Sequence, residues 1–199
     1  MSENTIYLIL LLPLISFLIQ IFTPNFQNNI KIYLSSLFIL ICFLLSSINL
    51  FAIYKSHLDD IDTISMSIGF NWISLSDLSI DFGMLIDSTS MIMLVAVSLV
   101  SFLVHIFSIE YMRGDQRYSR YFAYLGLFTF SMNGIVLSDN LFFTFIFWEL
   151  VGFSSFLLIG FWYEKDSAGN AAKKAFLVNR VGDIGMFLGI MTFYFACDS

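Results

Sequence analysis

The chain predicts an all-α polytopic membrane protein of six transmembrane helices, with a short β-hairpin-like loop on the outer side. Three observations carry this. Of 199 residues, 58% are hydrophobic, 12% are charged and 24 are phenylalanine, a composition outside the range of soluble domains. Apolar segments at about 5–23, 31–54, 85–109, 119–138, 140–162 and 171–196 are each long enough to cross a hydrocarbon core at about 1.5 Å per residue. Basic residues gather in alternate connections.

The first run, Thr5 to Phe22, is preceded by Glu3 rather than by a basic stretch and carries no small-residue cleavage pattern, so it reads as a retained first span ended by Thr23-Pro24. The loops after spans one, three and five hold Lys31, Arg113, Arg117, Arg120, Lys165, Lys173 and Lys174, whereas the other side holds only Lys55. The basic side is therefore the cytoplasmic side or its equivalent, and both termini face outward. The longest loop, Lys55 to Gly83, contains Asp59, Asp60, Asp62, Asp77 and Asp81 and lies on the outer side. Its middle, SMSIGFNWISLSDLSIDFG, alternates apolar with polar residues around a Ser/Asp turn, the pattern of a hairpin.

Span three begins near Asp87 and carries His105, which reads as a packed, hydrogen-bonded residue; His57 falls in the exposed loop. The following loop, EYMRGDQRYSR, reads as a solvated topology determinant. Cys42 and Cys197 fit no metal or disulfide spacing and read as small buried hydrophobes. A net charge of −6 argues against a nucleic-acid partner.

Span five, NLFFTFIFWELVGFSSFLLIGFW, carries a single carboxylate, Glu149, about 14 Å from its start in a helix about 34 Å long. A charge near the membrane midplane costs at least about 2.5 kcal/mol and persists only against protein or water, which makes a functional role the default reading. Helical geometry gives Glu149 a face shared with Phe142, Phe145, Gly152, Phe156 and Gly160. Span six places Arg180 and Asp183 inside the membrane at i, i+3, where they are able to pair, on an arc shared with Lys173. Gly185 and Gly189 form a G-x-x-x-G pair on another face, predicting close approach by a second helix. Spans five and six are antiparallel, so Glu149 and Asp183 fall at one level. If the two helices touch, two carboxyls and one guanidinium share the midplane with coupled titrations. The structural alternative is that Arg180 and Asp183 merely hold helices together.

The run Tyr118 to Asp183 resembles the antiporter-like subunits of respiratory complex I, the L-subunit branch. The matching text is YSRYFAYLGLFTFSMNGIVLSDNL, WELVGFSSFLLIGFWY and KKAFLVNRVGD, with FGMLIDSTSMIMLVAVSLVSFLVHIFSIEYM similar to the family's third span. The resemblance follows the chain in order and is weakest over its first sixty residues. It implies a proton-translocating membrane subunit of NADH:quinone oxidoreductase, with no redox centre of its own. Glu149 matches the relay acid, while Arg180 and Asp183 match residues of supporting electrostatic role. NADH, FMN, iron–sulfur clusters and quinone are expected in other subunits, and no metal or cofactor site in this chain.

The implied partners are other membrane-arm subunits, the lipid bilayer and protons. The implied location is a bacterial inner membrane or, alternatively, the mitochondrial inner membrane. Residues 1–84 read as two helices plus the acidic outer loop, and 85–199 as the start of the proton-conducting domain. Phe147 departs from the family by standing where glycine commonly precedes W-E. Family members are roughly three times longer, so the chain reads as an N-terminal third whose partner lysine lies beyond Ser199. Six helices alone are not expected to pump. Two alternatives remain at this stage: the large subunit of a multisubunit cation/proton antiporter, which shares the scaffold, and an inactive truncated fragment.

Overall fold

The structure, a computed structural model, describes residues 3–23, 28–58, 66–75 and 78–196. In chain order these form α1 (Glu3–Phe22), α2 (Asn28–Leu58), β1 (Met66–Leu75), β2 (Leu78–Ile86), α3 (Ser88–Tyr111), α4 (Tyr118–Leu137), α5 (Leu141–Ile159) and α6 (Asp166–Ala196). A helix satisfies its own backbone polar groups, which is why apolar runs of this length take that form in lipid. Helix α2 continues past the predicted end, so His57 belongs to a helix rather than to the loop. Helix α6 likewise starts earlier, at Asp166.

Apolar surface gives little drive for helix association when the solvent is itself apolar, and polar side-chain pairs supply the specificity. Ser16 meets Ser35 at 2.6 Å between α1 and α2, and Ser46 meets Ser98 at 2.9 Å between α2 and α3. Thr129 of α4 donates to Ser101 of α3 at 3.0 Å, and the Asn133 amide donates to the Ile9 carbonyl at 3.1 Å. On α3 the buried polar positions Ser98, His105 and Ser108 recur at helical spacing and form one polar seam turned into the bundle. Cys42 is fully buried with its thiol against the Ile9 carbonyl, a packing role; Cys197 lies outside the described residues.

Among the described residues, five helices are long and apolar enough to cross a membrane, and α4 is not one of them. The expectation of six spans therefore stands, on length and composition, only for those five. The reason lies in the position of α4. Its buried residues include Phe122, Ala123, Leu125, Gly126 and Leu127, which follow one another around the helix instead of forming a stripe. It packs against α1, α3 and α5. A helix enclosed by protein has no need of the lipid-facing leucine and isoleucine that mark its neighbours. A β-carbon at Gly126 would lie 3.1 Å from the Pro13 carbonyl, so α1 and α4 cross nearly backbone to backbone.

The predicted hairpin forms as a two-stranded antiparallel sheet, with Met66 opposite Ile86, Gly69 opposite Gly83, and an irregularity between Asn71 and Ile73. Asp59, Asp60, Asp62 and Asp77 lie outside the described residues. The hairpin is fastened to the bundle by Ile68, Met84 and Ile86, which join Ile6, Met91 and Leu137 in one core cluster. A bridge from Met84 to Ser138 ties it to the α4–α5 turn. Asn140 caps α5 by accepting from the Phe143 amide at 2.9 Å, and its side-chain nitrogen donates to the Asp81 carbonyl at 2.8 Å.

Candidate functional site

Glu149 lies eight residues into α5, about 12 Å from Leu141 and near the middle of the helix. Helix α6 packs directly on α5, the adjacency that the sequence left conditional. The two glycines on the Glu149 face permit the approach. A β-carbon on Gly160 would lie 3.1 Å from that of Ala172, and one on Gly152 would lie 3.7 Å from the Asn179 amide nitrogen.

The three sequence-predicted residues come together. The Arg180 guanidinium donates a charge-assisted hydrogen bond to the Glu149 carboxylate, and the same nitrogen stands 3.9 Å from Asp183. Arg180 therefore bonds across the helix interface, and the predicted i, i+3 pairing with Asp183 is the looser of its two contacts. Asp183 is held instead by a residue that sequence reasoning missed, since the Trp148 indole N–H donates to it at 3.1 Å. Adjacent residues on a helix point about 100° apart, so nothing in the local pattern announces that Trp148 and Glu149 serve the same cluster.

Aromatic rings wall the charges. Arg180 stacks 4.8 Å from the Phe176 ring centre, Phe176 meets Phe156 at 5.3 Å, and Phe145 meets Phe187 at 5.8 Å. Asp183 is 8% exposed, Glu149 22% and Arg180 41%. An open cleft of about 200 Å³ reaches all three, with Phe145, Ile184 and Phe187 on its walls.

Two carboxylates sharing one cation leave the cluster one negative charge in excess when both are ionised. A proton added to either acid removes that excess and weakens the grip of Arg180 on the acid that receives it. Lys173, predicted on the same arc, makes no ion pair among the described residues. Gly182, Gly185 and Gly189 have nothing within 4 Å of a β-carbon placed on them, and the described packing of α6 is on one side, against α5; the predicted second helix contact is not made among the described residues.

His105 is fully buried, with Nδ1 2.8 Å from the Ser101 carbonyl and the ring edge-on to Phe122, as a packed residue should be. Phe147 is 7% exposed and drives its ring against Gly134 of α4, where a β-carbon would fall 2.2 Å from the ring. The unusual side chain thus points away from Glu149 and into a gap that a glycine leaves in the neighbouring helix.

Comparison with known proteins gives a consistent picture. Residues 72–122 match the family model described as NADH-ubiquinone oxidoreductase (complex I), chain 5 N-terminus, and residues 138–198 match the one described as NADH:quinone oxidoreductase/Mrp antiporter, TM. The chain is 51% identical over 139 residues to the chloroplastic NAD(P)H-quinone oxidoreductase subunit 5 of Anthoceros angustus, covering 70% of this chain and 19% of that one. It is 55% identical over 130 residues to the chloroplastic subunit 5 of Physcomitrium patens, covering 64% and 18%. It is 50% identical over 130 residues to the organellar chromatophore subunit of Paulinella chromatophora, covering 65% and 20%. The matched stretch thus spans about a fifth of the length of these relatives. The fold matches a chain in the structure of the membrane-bound sulfane sulfur reductase, an archaeal respiratory membrane complex, with a TM-score of 0.79 at 18% identity, over 97% of this chain and 37% of that one.

Proposed function

Because the chain belongs to the antiporter-like membrane subunits of complex I, in the subunit 5 branch, we propose that it contributes a proton-translocating half-site to an NAD(P)H:quinone oxidoreductase. The observation that carries this reading is the Glu149–Arg180–Asp183 cluster halfway along two packed apolar helices. Glu149 is the relay acid. Arg180 compensates whichever carboxylate is ionised, and Trp148 holds Asp183 beside it. Arg180 is 41% exposed, and a guanidinium facing hydrocarbon is unstable, so the open side of α6 meets protein or water in the working membrane.

The chain crosses the membrane six times. Protein neighbours on α1, α3 and α5 stand in for apolarity in α4, and the loops bearing Arg113, Arg117 and Lys165 lie on the cytoplasmic side or its equivalent. Residues 1–84 act as scaffold and hairpin, while residues 85–199 begin the conducting part. NAD(P)H, FMN, iron–sulfur clusters and quinone belong to partner subunits, whose electron transfer alters the protonation free energy at Glu149. A second reading, the large subunit of a cation/proton antiporter, is kept by the wording of the second family model. The relatives of 50% identity and above favour the oxidoreductase.

Glu149→Gln in the full-length protein, within its complex, is expected to lower proton translocation at least about tenfold. Electron transfer from the nicotinamide to an artificial acceptor should be left largely intact. Glu149→Asp should be milder, and Asp183→Asn should fall between the two. Proton translocation unchanged in Glu149→Gln would remove the relay assignment, and a defect in assembly alone for Asp183→Asn would assign that residue to packing.

A further inference from the structure

Two open cavities adjoin one another at the end of the bundle that carries the basic loops. The first, about 420 Å³, lies between the last turn of α1, the first turns of α2 and the start of α4, and is lined by Lys31, Arg117, Arg120 and Ser119 among others. The second, about 290 Å³, lies between α4 and α5 and is walled by Phe156, Leu157 and Phe161. Arg120 and Tyr124 line both, so a polar cationic chamber opens into an apolar groove.

The cations of the first cavity are under-compensated. Lys31 is 2% exposed, yet its ammonium has one partner among the described residues, the Thr23 carbonyl at 2.9 Å. An ammonium has three donors, and burying one without a carboxylate is costly unless an anion reaches it. Arg120 is exposed and has no ion pair among the described residues. Arg117 gives one terminal nitrogen to Glu164 at 3.3 Å, while its other terminal nitrogen is buried without a hydrogen-bond partner. Glu164 and Asp115 both stand beside Arg117, and among the described residues neither Lys31 nor Arg120 has an ion pair. The site sits within the first two turns of α2 and α4, the depth at which lipid head groups meet protein. A free phosphate would account for the charge and not for the groove, and an acyl chain would account for the groove and not for the charge.

We infer that the two cavities form one binding site for an anionic phospholipid. Its phosphate lies against Lys31, Arg120 and the free edge of Arg117, and an acyl chain lies along Phe156, Leu157 and Phe161. Zwitterionic lipids are disfavoured because their own ammonium competes with the protein cations.

The test is native mass spectrometry of the full-length protein in its complex, purified in mild detergent and supplied with phosphatidylglycerol, phosphatidylcholine or inorganic phosphate. Phosphatidylglycerol should be retained in preference to phosphatidylcholine. Arg120→Gln should lower that retention about fivefold, and Lys31→Gln with Arg120→Gln about thirtyfold, with phosphatidylcholine unchanged. Since Lys31 is buried and its loss could disturb folding, the exposed Arg120→Gln variant stands alone as a test, with Arg120→Lys expected to restore retention. Equal retention of both lipids, or equal retention by wild type and Arg120→Gln, overturns the inference. Displacement of phosphatidylglycerol by millimolar inorganic phosphate assigns the site to a free anion instead. A carbodiimide cross-link from Lys31 to a carboxylate of another subunit assigns it to a protein partner.

Discussion

Single side chains decide the character of this bundle where a charge or a ring has only one place to go. The position of Glu149 was legible from the sequence because one carboxylate in a long apolar run is costly there, which makes a functional role the default reading. Arg180 and Asp183 stood out as charges in an apolar run too, with a helix-holding pair as their alternative reading. Trp148 and Phe176 did not, because an aromatic in a membrane helix is ordinary until its partner on another helix is seen. The Phe147–Gly134 contact follows the same logic in the packing. Gly134→Ala would place a methyl 2.2 Å from the Phe147 ring. It should destabilise the folded protein by about 1–3 kcal/mol, read as lower thermal stability in detergent. Phe147→Leu in the same chain should recover part of the loss, a non-additivity that measures the contact itself.

Elements are joined as much through their loops as through their faces. The segment between α3 and α4, which composition alone marks as a solvated topology determinant, interlocks with the segment between α5 and α6. The Trp162 indole donates to Asp115 at 3.1 Å, the Arg117 amide donates to the same carboxylate at 2.8 Å, and the Arg117 guanidinium lies 4.8 Å from the Tyr163 ring centre. The Arg117 backbone amide and then the Trp162 indole hold the Asp115 carboxyl below the usual carboxylate range. A depressed folded-state value means that the clamp contributes above the unfolded value and is lost as pH falls through the folded one, so it should loosen only below about pH 4. Trp162 fluorescence should report that loosening on acidification, and Asp115→Asn should show the loosened signal at neutral pH. Helices and hairpin were readable because length, apolarity and alternation are local signals. The interlock joins residues 47 positions apart and has no local signature.

At the scale of the whole molecule, α4 is the element on which topology turns. If it crosses, cysteines placed at Gln116 and at Leu141, in a background lacking Cys197, should react with a membrane-impermeant maleimide from opposite sides of the membrane. Labelling of both from one side would withdraw α4 from the count of spans. Sequence reading counted α4 with the others because its length is right, but did not foresee its enclosure, since buried-all-round and polar-interrupted look alike in one dimension.

That enclosure also fixes an order of events during synthesis. Helix α4 is too mixed in character to partition strongly into lipid by itself, and the backbone that Gly126 approaches, at Pro13, belongs to α1, which precedes it in the chain. If α4 crosses, the ribosome delivers it after α1, and α1 is then the template on which a reluctant segment is captured. A permuted chain that made α4 first would have to hold it at the insertion machinery until α1 arrived.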